Sequence, residues 1–272
     1  MFALVLVVPL LVAMLAMFAV DQSKVKYVAL AGSLLCVAVL PLASHGTGTI
    51  TLFQLGSFSF QIITMLYNIN LLLVMIILFI APLIILYSFG FMDTPSEQRR
   101  FYLELIAFDA AMLAFAVSGN FILLFIAWEL LSITSYLLIG FWHARERASR
   151  AARKAITVIL IGDVCLLGSI AIFWGLFNTL SFAPIISSIS TVDQVQLSEA
   201  VALLIIAVFT KSAQIPFPEW LTDAMEGPTP VSAFLHSTTM VKAGVFLVII
   251  LLPIFIVTRT TLIITLFAAH CY

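Results

Sequence analysis

The sequence predicts an all-α membrane protein. It reads as a polytopic bundle of about eight to nine transmembrane helices, with a discontinuous seventh helix and a short β-hairpin between helices two and three. Three observations carry this. Of the 272 residues, 63% are hydrophobic and only 9% are charged, against roughly 25% charged in an ordinary globular domain. A surface so poor in charge is not kept soluble by water, so its solvent is lipid. Apolar runs recur along the whole chain, each near the roughly 20 residues that cross a hydrocarbon core. One run ends in FTKSAQIPFPEWL (209–221), where a lysine is followed at once by two prolines.

The runs lie at 2–20, 26–43, 66–90, 101–118, 120–142, 155–177, 197–214 and 229–257, with a partial run at 260–272. The first, MFALVLVVPLLVAMLAMFAV, has no positive n-region and is too long for a signal-peptide core, so it reads as a spanning helix. TGTITLFQLGSFSFQI (47–62) alternates apolar with small polar residues around Gly56 and reads as a surface hairpin. The expected organisation is 1–100, helices one to three with the hairpin; 101–257, helices four to eight; and 258–272, the start of a ninth helix.

Charge sets the expected orientation. Lys24, Lys26, Arg99, Arg100, Arg145, Arg147, Arg150, Arg153 and Lys154 fall in alternate loops, whereas 44–63, 119–120 and 178–196 contain no lysine or arginine. Positive residues favour the cytoplasmic side. The N-terminus is therefore expected outside, with the basic loops in the cytoplasm of a multi-pass protein of the plasma or inner membrane. The basic stretch HARERASRAARK (143–154) reads as a topology signal and a contact for lipid headgroups. A net charge of −1 argues against a nucleic-acid partner. Cys36, Cys165 and Cys271 lie far apart inside apolar runs and read as packing residues rather than disulfide partners or metal ligands. No phosphate loop, nucleophile elbow or metal cluster is legible, so no cofactor, metal or redox active site is expected on this chain.

Several ionisable groups fall inside the predicted spans: Asp109, Glu129, Asp163, Lys211 and Lys242, with His236 beside them and Glu104 nearer an end. A charge at a helix centre costs about 2.5–3.5 kcal/mol on insertion scales, and such residues persist by facing the interior, pairing, or carrying ions. Glu129, Ser132 and Tyr136 follow at i, i+3 and i+7 and share one helix face. Pro216 and Pro218 cannot donate to carbonyls four residues back, which frees backbone near Lys211 and places a helix break beside the charge. Gln214 can join the same polar cluster. The next span is the most polar, with Ser232, His236, Ser237, Thr238, Thr239 and Lys242. His236 and Lys242 are about 9 Å apart along the axis, which suits successive stations of a relay; packing is the alternative for His236. Asp163, after Gly162, reads as a partner for a basic residue or the backbone.

WELLSITSYLLIGFW (128–142), TKSAQIPFPEWLTDAMEGPTPVSAFLH (210–236) and STTMVKAGVF (237–246) resemble the antiporter-like L subunit of respiratory complex I and its relatives, among them the large subunit of multi-subunit Na⁺/H⁺ antiporters. The resemblance covers roughly 60–250, the N-terminal portion of that family. It implies that Glu129 modulates Lys211 on a broken seventh helix. It places His236 on a central hydrophilic axis and matches Asp163 to the aspartate of a Gly-Asp motif. It matches Lys242 to a lysine of the antiporter-type members. The implied function is proton translocation through a Glu/Lys/His axis, driven by quinone reduction in partner membrane subunits of an NADH:quinone oxidoreductase. The alternatives are a component of a multi-subunit Na⁺/H⁺ antiporter, the membrane partner of a bicarbonate-uptake system, or a structural scaffold. The family's second inverted repeat and lateral helix do not appear before the chain stops at LFAAHCY, which implies a truncated product or a second half on another chain. Glu104 and Asp109 depart from the family's apolar fourth helix. They add a proton site, or Asp109 pairs with Lys242.

Overall fold

The computed structural model describes residues 6–43, 46–55, 58–92, 95–258 and 260, without the side chains of 53–55, 58–59, 95–96 and 236–238. The chain is mostly helical. Apolar runs build α1 (Val8–Ala19), α2 (Val25–Val39), α3 (Asn68–Phe91), α4 (Pro95–Ala116), α5 (Phe121–Ile139) and α6 (Glu146–Phe177). A short α7 (Phe182–Ser187) leads to α8 (Gln194–Lys211) and α9 (Glu219–Asp223). The chain continues through α10 (Thr229–Ser232), α11 (Met240–Ile250) and α12 (Leu252–Val257). Among the described residues, six segments are long and apolar enough to cross a membrane: Gln22–Leu42, α3, α5, α6, α8 and Thr229–Ile250. This is a multi-pass membrane protein.

The expected hairpin is present as β1 (Gly46–Leu55) paired antiparallel with β2 (Phe58–Leu66), with an irregularity between Thr51 and Phe53. Gly56, its expected centre, lies outside the described residues, as does most of the expected ninth helix.

The first run is described only from Leu6, with helix at Val8–Ala19. Two other runs differ from expectation. The fourth is helical, but Glu97, Arg99, Arg100, Glu104 and Asp109 make α4 far less apolar than its neighbours. The last, expected as one span, is interrupted by a π-helix at Ala233–Thr238 and an irregular Thr239 (φ −124°, ψ −79°). The Thr239 hydroxyl donates to the Phe234 carbonyl, competing with the regular helical ladder. α12 restarts at Leu252–Pro253, where the missing proline N–H is harmless.

The loops sort onto two faces, as the charge pattern requires. On one, the hairpin meets the turns at 117–120 and 180–182. Gly119 N–H donates to the Ile63 carbonyl (2.7 Å) and Phe121 N–H to that of Leu180 (2.9 Å). Asn120 caps α5 by accepting from Leu123 N–H (3.0 Å), and its amide donates to the Gln61 carbonyl (2.5 Å). These are the segments without lysine or arginine. On the other face, Arg99 Nη2 donates to the Val20 carbonyl (2.8 Å), and Arg100 Nη1 lies 3.1 Å from His143 Nδ1. Lys154 Nζ lies 2.9 Å from carboxylate oxygens of both Glu219 and Asp223 there.

α4 occupies the interior, packed against α1, α2, α3 and α5. Phe101, Tyr102, Ile106, Phe108, Met112 and Phe115 are wholly buried. Large side chains such as Leu15, Phe79 and Val164 point outward from α1, α3 and α6, as expected where the surrounding medium is hydrocarbon.

Candidate functional site

The site is built where α8 stops. Lys211 is its last residue and the basic group of its last turn, the position at which a helix dipole favours a cation. Ala213 follows with φ 51°, a left-handed residue of the kind that closes helices. Several of the carbonyls left over find donors. Ala213 N–H and Trp220 Nε1 donate to Thr210 O, Gln214 N–H donates to Phe209 O (2.9 Å), and Gln214 Nε2 donates to Ser212 O (3.0 Å). Phe217 N–H donates to Gln214 O (2.6 Å). Pro216 and Pro218 therefore follow a helix that has already ended, and they prevent its resumption before α9.

The break lies deep. Lys211 meets Trp128 and Ser132, which stand seven residues inside the two ends of α5, 121 to 128 and 132 to 139. At 1.5 Å per residue that is about 10 Å from either end.

Two glycines hold α8 in position. A Cβ at Gly162 would lie 1.8 Å from Thr210 Oγ1 and 3.2 Å from Ala207 Cα. A Cβ at Gly244 would lie 2.1 Å from Ser212 Oγ and 3.0 Å from the Val208 carbonyl. Only glycine permits α6 and α11 to approach so closely, and Gly162 delivers its neighbour Asp163 to Lys211.

Lys211 is fully buried. Its Nζ donates to the Trp128 carbonyl (3.0 Å) and to Ser132 Oγ (2.5 Å), lies 3.9 Å from Asp163 Oδ1, and sits 4.7 Å from the Trp128 ring centroid. Asp163 accepts from Trp128 Nε1 at Oδ1 (2.6 Å) and from Ser132 at Oδ2 (2.9 Å). Ser132 Oγ is also 3.1 Å from the Trp128 carbonyl. A hydroxyl carries one proton, so Ser132 accepts from Lys211 while donating either to the carboxylate or to that carbonyl. When Ser132 donates to Asp163, the ammonium, hydroxyl and carboxylate form a continuous hydrogen-bonded chain. Breaking a buried pair of this kind costs about 3–5 kcal/mol, because the remaining charge is left uncompensated.

The residues singled out in the sequence are distributed unevenly around this chain. Asp163 is the carboxylate beside Lys211. Glu129 is half-buried and, among the described residues, outside ion-pair distance of any cation. Of its presumed polar face, Ser132 turns inward while Tyr136 is exposed. Lys242 is exposed beside an apolar cleft of about 350 Å³ lined by Leu72, Leu73, Ile76, Phe246 and Ile249. It makes no ion pair with Asp109, and Glu104 pairs instead with Arg100 (2.7 Å). The side chain of His236 lies outside the described residues; its backbone belongs to the π-helix. Sequence reasoning missed Trp128. An indole N–H in an apolar core needs an acceptor, and that was the available signal.

The comparisons with known proteins bear on this geometry. Residues 118–271 match the family described as "NADH:quinone oxidoreductase/Mrp antiporter, TM". A Na(+)/H(+) antiporter subunit of Alkalihalophilus pseudofirmus is 42% identical over 190 residues, 69% of this chain and 24% of that protein. The NADH-quinone oxidoreductase subunit L of Mycobacterium tuberculosis is 40% identical over 176 residues, 65% of this chain and 28% of that protein. Among solved structures, the Mrp complex from a Dietzia species superposes with a TM-score of 0.80 at 26% identity, over 90% of this chain and 28% of that one. The chain thus spans about a quarter of the length of these relatives (24% and 28%). A match over more than half of the residues, on a multi-pass helical fold, makes this chain a member of the NADH:quinone oxidoreductase/Mrp antiporter transmembrane family.

Proposed function

We propose that the chain is the N-terminal part of an antiporter-like, proton-translocating membrane subunit, and that Lys211 takes up and releases the transported proton. The observation that carries this reading is a fully buried lysine at the end of α8, joined through Ser132 to Asp163. In this reading α8 and α9 are the two halves of a discontinuous seventh crossing, within a bundle of eight to nine. Residues 101–257 form the first antiporter-like repeat, 1–100 flank it, and 258–272 begin a ninth helix. Asp163 holds the charged state of Lys211, and Glu129, at the edge of the site, modulates it. His236 and Lys242 pass the proton onward. Lys242 faces outward beside an apolar cleft, which suits a further membrane segment packing there. The basic face lies in the cytoplasm and the hairpin face outside the plasma or inner membrane. Redox chemistry in partner subunits of an NADH:quinone oxidoreductase drives the cycle.

A second reading is Na⁺/H⁺ antiport without redox coupling. The 42% identity to a protein named for Na(+)/H(+) antiport favours it. Both readings share the role of Lys211. The test is Lys211→Ala in the full-length subunit within its assembled complex. Proton translocation is expected to be lost with assembly intact; wild-type translocation would sink the proposal. Sodium-dependent proton flux without quinone reduction would select the antiporter.

A further inference from the structure

Asp109 stands apart from this site. It is 1% exposed on α4, and among the described residues neither carboxyl oxygen has a hydrogen-bond partner. Two more buried atoms on α2 and α4 are also unpartnered among the described residues, Ser33 Oγ and Tyr102 Oη.

α2 packs against α4, and helix geometry places these groups at neighbouring levels along the two helices. α2 and α4 both run from the basic face to the hairpin face. The first turn of α2 and the second turn of α4 are tied through Phe89, which packs 5.4 Å from the Tyr27 ring and 6.3 Å from the Tyr102 ring. From that level, Ser33 lies about 9 Å along α2, Cys36 about 14 Å along α2, and Asp109 about 11 Å along α4. Ser33 and Cys36, three residues apart on one face, therefore bracket the carboxyl along the axis, and Asp109 lies close to Cys36 across the α2–α4 contact.

No compensating cation faces it among the described residues. α1 carries no titratable side chain. α2 offers Cys36, while Lys26 lies over the rings of Tyr27 and Phe89 at its opening turn. Lys24, in the turn before α2, pairs with Asp21. α3 offers only the exposed Tyr87, and α5 the half-buried Glu129 and exposed Tyr136. On α4 itself, Glu104 is held by Arg100. Phe108 touches Phe234 of the π-helix, whose His236 side chain lies outside the described residues.

A bare carboxylate with no hydrogen bond and no counter-ion is among the most costly groups to bury in a membrane interior. A proton neutralises it without requiring extra volume, whereas a metal cation needs several oxygen ligands arranged around it. We propose that Asp109 is a second proton-holding carboxyl of this membrane domain, kept as the neutral acid between α2 and α4 and separate from the Lys211–Asp163 pair.

Infrared spectroscopy of the full-length subunit in its assembled, reconstituted complex tests this. The wild type minus Asp109→Asn difference spectrum at pH 7 is expected to contain a carboxylic-acid C=O stretch, lost in the variant and unchanged by sodium chloride. Carboxylate bands in its place overturn the proposal. Disappearance of the acid band on adding sodium also overturns it, by making the site a cation site. Should the Asn variant fail to assemble, Asp109→Glu keeps the acid on a longer arm. A shifted acid band is then expected, and an unshifted one removes the assignment.

Discussion

Replacing Gly162 by alanine probes the contact that brings Asp163 to Lys211. The added Cβ would sit 1.8 Å from Thr210 Oγ1, 2.9 Å from Thr210 Cβ and 3.2 Å from Ala207 Cα, where ordinary contact begins near 3.4 Å. Rotating Thr210 relieves the first clash but loses its hydrogen bond to the Ala207 carbonyl (2.9 Å), a cost of about 1 kcal/mol. The other two contacts involve atoms on or next to the α8 backbone, so the helices must separate. Overpacking of this kind costs about 1–3 kcal/mol, which makes the expected destabilisation about 2–4 kcal/mol. Asp163 adjoins Gly162 and Lys211 adjoins Thr210, so the separation widens a gap that is already 3.9 Å. If the site is weakened by only about 1.4 kcal/mol in the rate-limiting state, translocation falls about tenfold. The assay is proton uptake by vesicles containing the assembled complex, alongside thermal unfolding of the purified complex. Adding Thr210→Ala removes the nearest clashing atom and is expected to restore part of both losses. Wild-type stability and flux in Gly162→Ala, or no relief from the second substitution, would refute the close-approach argument.

Two further perturbations separate the site from its scaffold. Trp128→Phe removes the indole N–H that donates to Asp163 (2.6 Å) while keeping a ring against Phe115. Hydrogen bonds to charged groups contribute about 1.5–3 kcal/mol, so unfolding should come earlier and the pH profile of translocation should shift; an unchanged profile counts against the Trp128–Asp163 link. Asn120→Ala removes the α5 cap and the tie to the hairpin, a loss of about 1–2 kcal/mol. Protease cleavage in the hairpin is expected to rise while Lys211-dependent flux is retained, and a hairpin as resistant as wild type would show that other contacts hold it.

The sequence disclosed the fold most clearly where one physical effect dominates. Hydrophobic run length located α2, α3, α5 and α6, and period-two alternation located β1 and β2. The positions of lysine and arginine predicted which loops share a face, because charge cannot cross the hydrocarbon core without cost. It was least legible where two effects compete. α4 reads as a poor membrane helix because it carries five charged residues, yet its neighbours bury it more completely than any apolar run. The last span reads as continuous because a hydroxyl returning to a backbone carbonyl leaves no mark on hydropathy.

The candidate site divides in the same way. Composition and proline placement were enough to mark Lys211 as a charge in a membrane beside a helix end, since any chain with those residues faces the same insertion cost and the same missing N–H groups. Its partner was another matter. Glu129 was favoured from its place in the motif, but α5 turns Ser132 and Trp128 toward the lysine. Gly162 lets α6 come close enough to present Asp163 instead. That choice depends on how three helices rotate and approach one another. Approach is decided by the absence of a single Cβ, a property of the packed structure that no spacing along the chain reveals.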